Sequence, residues 1–255
     1  MAHEQDNPHH AELLWRGPRR GARGPKPSLS LTQIVTEAVR IADTEGLAAL
    51  SMQRLAAELG YGTMSLYRYI PAKDDLIALT LDAAIGPPEP RRTSEPWRAG
   101  LQRWAQHNLA IFRHHPWALP LVTNPRVLGP NETAQLEAAL DILAETGLPP
   151  AAKLHTVLLV NAYVRGAAAL GETPRDEFPT AAELVERFDQ QDSYPHLMTV
   201  ARALSATPAN TPIQHASAPF DYGLDRLLDG IEAALPHTTE PDQHPLSART
   251  EPPQV

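Results

Sequence analysis

The sequence predicts an all-α protein in two parts, a small N-terminal helix-turn-helix unit and a larger C-terminal helical domain. Three observations carry that reading. Apolar residues recur at helical spacing through most of the 255 residues, and the alternation of a strand never appears. Two short helical patterns meet at a glycine-containing break, Gly60-Tyr61-Gly62. A proline-rich segment, Gly86 to Pro96, divides the first part from the second as a linker.

Composition narrows the classes. Hydrophobic residues make up 42% of the chain, enough for a sizeable core, and the absence of cysteine excludes disulfides and thiolate zinc sites. The formal net charge is −8, yet nine basic residues face four acidic ones between Arg16 and Lys73. A basic module on an acidic body is the asymmetry of a DNA-binding unit joined to a sensing domain. The first twenty residues lack an apolar run after a basic segment, so no secretory signal is expected. No run of about 18 apolar residues occurs, so no membrane span is expected. A cytoplasmic location follows as an expectation.

Taken in order, residues 1–27 are rich in Pro, Gly, His and Arg without periodicity, and are expected to be a disordered basic arm. Ser30 and Gln33 form a capping-box pattern that opens a helix ending at Gly46. Ser51 is placed to cap the next helix, whose Met52, Leu55, Ala56 and Leu59 share one face. After the glycine break a second short helix begins at Thr63, itself a good cap, and runs to Tyr69 or Ile70 before Pro71 stops it. At about 100° per residue, Leu66 and Ile70 lie on one face and Met64 and Arg68 on the opposite one, flanked by Ser65 and Tyr67. Such a helix, fixed by one apolar face, suits the major groove of DNA. A further helix starts at Lys73, where a long side chain beside a helix N-terminus can reach a phosphate.

The stretch from Met52 to Leu76, with Ala42 to Gly46 before it, resembles the DNA-binding motif of tetracycline-repressor (TetR) type regulators. The resemblance covers roughly Leu29 to Ala84, and Phe220 to Leu235 is similar to the last helix of the tetracycline-repressor-like C-terminal domain. It implies an organisation of 1–27 as arm, 28–85 as DNA-binding domain, 94–235 as effector-binding and dimerisation domain, and 236–255 as a disordered tail. It also implies a homodimer on double-stranded operator DNA, a repressor released by a small-molecule effector, and no cofactor. The expected DNA-contact residues are Ser51, Gln53, Thr63, Met64, Ser65, Tyr67, Arg68, Tyr69 and Lys73.

The C-terminal half reads as helices at 97–114, 116–122, 131–146, 151–170, 180–188, 194–204 and 220–235. The helix 151–170 is apolar nearly all round, so it must be buried on most sides. A twofold dimer would use it together with the leucine stripe of the last helix, through Leu158, Gly166, Leu224, Leu227, Leu228 and Ile231. An effector pocket is expected among Trp104, His107, Asn108, Phe112, His155 and Asn161, mostly apolar with a few polar groups.

Two rivals remain, a helical-bundle enzyme and an adaptor without sequence-specific DNA binding. The chain has no HExxH, no GxSxG and no paired ExxH, so no catalytic residue is assigned. Adjacent His114 and His115 would point about 100° apart on a helix, so no metal site is expected there either. An adaptor leaves the outward Arg68 and Tyr67 unexplained.

Overall fold

The computed structural model describes residues 8–16, 29–170, 180–188, 194–206 and 219–236. Among the described residues there is no strand. The helices are α1 (Pro8–Arg16), α2 (Leu31–Glu45), α3 (Met52–Leu59), α4 (Thr63–Tyr67), α5 (Lys73–Ile85), α6 (Trp97–His114), α7 (Leu119–Val122), α8 (Pro130–Ile142), α9 (Pro150–Leu170), α10 (Ala181–Phe188), α11 (Pro195–Ala206) and α12 (Pro219–Ala233). No helix among them is long and apolar enough to cross a membrane.

Local chemistry sets most of the N-terminal boundaries. Ser30 Oγ accepts from the Gln33 backbone N–H while Gln33 Oε1 accepts from the Ser30 N–H, which closes the expected capping box on α2. Ser51 Oγ accepts from the Arg54 N–H and opens α3. Gly60 ends α3 in the left-handed conformation, φ 73°, which a residue without Cβ adopts at little cost. Thr63 does not cap α4 as expected: the cap position is Gly62, without a side-chain bond, Thr63 is the first helical residue, and the helix ends at Tyr67 with Arg68 as its C-cap rather than at Tyr69 or Ile70. The α5 entrance is closed from within, as Asp75 Oδ2 accepts from the Ala72 N–H.

The described residues form two cores. Ile34, Ala38, Ile41, Leu50, Leu55, Leu66, Ile70 and Leu76 make the first. Leu101, Trp104, Val157, Val160, Val164, Leu224 and Leu228 belong to the second. Helix α5 serves both, with Leu76 and Leu79 in the first and Leu81 and Ile85 in the second. The two domains therefore share a helix as well as abutting.

The N-terminal arm departs from expectation. Pro8–Arg16 is helical, and Leu13 and Leu14 are buried in the first core against α5. The Trp15 indole N–H donates to the Leu128 carbonyl at 3.1 Å. Two adjacent leucines with a tryptophan remove enough apolar surface from water to hold a short helix that its own propensity would not. Residues 17–28 of the expected arm, and the tail beyond Pro236, lie outside the described residues.

Further contacts join the two parts. Asp82 on α5 accepts from the backbone N–H groups of Asn131 (3.0 Å) and Glu132 (3.2 Å), capping α8 across the junction. Burial raises the Asp82 carboxyl above its usual range, and these two N–H groups partly offset that. Asp43 on α2 accepts from the Trp117 indole N–H and meets His115 Nδ1, both at 2.7 Å.

Candidate DNA interface and effector cleft

A five-residue helix has no stability of its own. What holds α4 is Leu66 and Ile70, both fully buried in the first core. Their burial fixes the opposite face: Met64 is 75% exposed, and Tyr67 and Arg68 are exposed beside it. Thr63 and Ser65 are half-buried at the flanks, and Gln53 is exposed on α3. Ser51 caps α3 through its oxygen, which leaves its hydroxyl proton to donate elsewhere. Lys73 stands exposed at the N-terminus of α5.

Tyr69 does not fit its expected part. Its hydroxyl donates to the Leu29 carbonyl at 2.8 Å, and its ring packs against the first core. A phenol has one proton, so Tyr69 cannot also donate to a phosphate. Its position straps the end of α4 to the start of α2.

Charge sorts the cations of this domain. Arg40 pairs with Glu37 and Glu58, and Arg54 pairs with Glu45 and Glu58. The Arg54 guanidinium holds the Glu45 carboxyl below its usual range. Such exposed pairs stabilise little, but they neutralise the arginines concerned. Arg68 and Lys73 have no such pair among the described residues, so the positive charge still available lies on α4 and at the start of α5.

In the C-terminal domain Trp104 and His107 come together in a cleft of about 420 Å³ between the linker, α6 and α8. Its walls are more charged than expected. Arg103 bonds Glu95 (2.7 Å) and Glu89 (2.9 Å), and Arg91 bonds Asp141 at 3.1 Å. The Trp104 indole N–H is taken by the Gln135 carbonyl at 3.0 Å. Four of the six expected pocket residues are elsewhere. Asn108 is buried with its amide on the Trp104 carbonyl at 2.9 Å, and Phe112 is core. His155 is exposed and Asn161 half-buried on α9, and neither lines this cleft. Glu89 and Arg91 escaped notice because their segment has linker composition; Glu137 and Asp141 look like any solvated helix face.

The expected dimer residues also divide. Leu224, Leu228 and Ile231 are buried in the core of their own domain, so they have no surface left to offer a partner. Helical spacing shows that this stripe must be covered, and it is buried in one core with residues of α6 and α9 of the same chain. Leu158 is 52% exposed, Gly166 lies open, and Leu227 is half-buried at the edge of the stripe. With exposed Leu154 and Leu159, Leu158 and Gly166 leave an apolar face on α9; Leu227 belongs to α12.

Residues 34–79 match the model for bacterial regulatory proteins of the tetR family, and residues 89–235 match the tetracyclin repressor-like C-terminal domain. The HTH-type transcriptional repressor DrrR1 of Streptomyces coeruleorubidus is 38% identical over 237 residues, covering 88% of this chain and 85% of the relative. The tetracycline repressor protein class E of Escherichia coli is 26% identical over 213 residues, covering 81% and 92%. Among solved structures, the TetR family protein ActR of Streptomyces coelicolor in complex with actinorhodin aligns with a TM-score of 0.64 at 25% identity, covering 81% of this chain and 98% of that one. A recognition helix mounted on a buried face, a helical domain behind it and a family match over each half lead to one conclusion: the chain belongs to the TetR family of transcriptional regulators.

Proposed function

We propose that the protein is a cytoplasmic, homodimeric repressor without enzymatic activity. It occupies a palindromic operator and leaves it when a small molecule enters the C-terminal domain. The observation that carries this reading is α4, pinned by Leu66 and Ile70, with Arg68, unpaired among the described residues, exposed beside Met64 and Tyr67. In this reading residues 28–85 read DNA, while 94–235 hold the effector and the dimer contact. Arg68 and Met64 enter the groove, Tyr67 and Lys73 meet the backbone, and Gln53, Ser51, Thr63 and Ser65 supply the flanks.

The apolar face of α9 supports a second copy as its occupant, because two recognition helices must be held at a fixed spacing to meet both half-sites. The cleft beside Trp104 and His107 supports an effector site, as does the actinorhodin complex of ActR. The test is a gel shift on DNA flanking the chain's own gene, with competitor DNA and added salt. A saturable, sequence-dependent shift is expected. A shift that ignores sequence, or none at all, would refute the reading and return the chain to the adaptor or enzyme class.

A further inference from the structure

We infer that Asp43, His114 and His115 form a site for a divalent transition metal of the zinc or nickel type, bridging the two domains. Each offers one ligand atom, and the three atoms lie within 4.8 Å of one another. The two histidines converge because only His114 is helical. His115 leaves the helix with φ −121° and ψ 65°, so the angular separation expected of helical neighbours does not apply. Their ring centroids stand 4.6 Å apart.

The donor set selects the ion. One carboxylate and two imidazoles suit zinc, nickel or cobalt, whereas magnesium and calcium prefer oxygen donors throughout. Bonds of about 2.0–2.2 Å to one ion place its ligands roughly 3–4 Å from each other. With all separations within 4.8 Å, the widest therefore has to close by at most about 1 Å. Exposed His114, which makes no hydrogen bond among the described residues, is free to supply that movement. Without the ion, Asp43 Oδ1 faces His115 Nδ1 at 2.7 Å. Binding puts the metal in place of the hydrogen between them, and the neutral His115 ring then carries its one proton on Nε2. The Trp117 N–H, also 2.7 Å from Asp43 Oδ1, holds the carboxylate in orientation. Three protein ligands leave the remaining positions to water.

Asp43 belongs to α2 and the histidines to the end of α6, so the ion ties the DNA-reading domain to the sensing domain. That consequence rests on the function proposed above; the binding itself does not. The experiment uses the full chain, stripped with a chelator and titrated with zinc chloride by calorimetry, with cobalt(II) absorption as a second readout. One ion per chain is expected, and His114→Ala and Asp43→Asn should each weaken binding by at least about 10-fold. Zinc should raise the unfolding midpoint of the parent chain and not of either variant. Absence of saturable binding, or binding unchanged in both variants, would overturn the proposal. An operator shift by the chelator-treated protein keeps the two readings separate. A chain that shifts DNA without binding zinc loses only the metal site, and one that binds zinc without shifting DNA loses only the repressor assignment.

Discussion

The outer face of α4 and the outer face of α9 are both exposed, but they are built on opposite chemistry. On α4 and the turn that closes it the buried residues are Leu66 and Ile70 and the outward ones are Met64, Tyr67 and Arg68, with Lys73 close in sequence. On α9 valines 157, 160 and 164 face the core, and the outward side still carries Leu154, Leu158 and Leu159. A surface meant for phosphates and base edges carries charge and hydrogen-bond donors. A surface that stays apolar after its own core is complete is suited to another protein surface. Exposure alone does not separate the two; what is exposed does.

The largest effect should come from α9. Leu158→Glu places a charge on the apolar face without touching the monomer core, and light scattering should show a monomer that no longer shifts the operator. An intact dimer with normal affinity would place the contact elsewhere. Leu228→Ala is the matching core test. It should lower stability by roughly 2–5 kcal/mol in denaturant unfolding and leave the assembly dimeric.

On the reading face, Arg68→Ala should cost on the order of 1–3 kcal/mol per half-site and relax base preference at particular operator positions. Lys73→Ala should weaken all sequences alike and lower the salt slope by roughly one unit per subunit. Binding to single-base operator variants at two salt concentrations reads both. If the lysine variant changed base preference and the arginine variant merely rescaled every affinity, the assignment of faces would be reversed.

The smallest effect lies between the domains. The folded-state pKa of Asp82 is raised, so the charged carboxylate disfavours folding at neutral pH and this cost fades as pH falls through the folded-state value. Asp82→Asn keeps an acceptor for α8 and removes the charge. The variant should compare best with the parent near neutrality and lose ground on acidification. Thermal unfolding at pH 7 and pH 4 tests the sign.

The architecture was legible because helical periodicity, caps and the glycine break are local signals. The faces around α4 are legible for the same reason: the Ile70 N–H still bonds the Leu66 carbonyl, so helical spacing holds through Ile70 although the α-helix ends at Tyr67. The leucine stripe of α12 was misassigned to a partner because periodicity says that a face is covered and not by what. Tyr69 was misread because its acceptor, the Leu29 carbonyl, is forty residues away. Helix α1 was missed because its propensity is poor and its hold is tertiary. The meeting of Asp43 with His115 and Trp117 spans more than seventy residues and leaves no trace in local pattern.

Gly129 bears on how this protein can be rebuilt. A Cβ at that position would lie 2.1 Å from the Asp82 carboxylate oxygen, so only the bare backbone lets α5 and α8 approach. Grafting the first 85 residues onto the sensor of a relative would bring along the carboxylate but not the loop shaped to receive it. Chimeras with retargeted operators should therefore carry residues 127–132 with the reading head, and a plain cut at the linker should yield proteins that bind DNA yet answer their effector weakly.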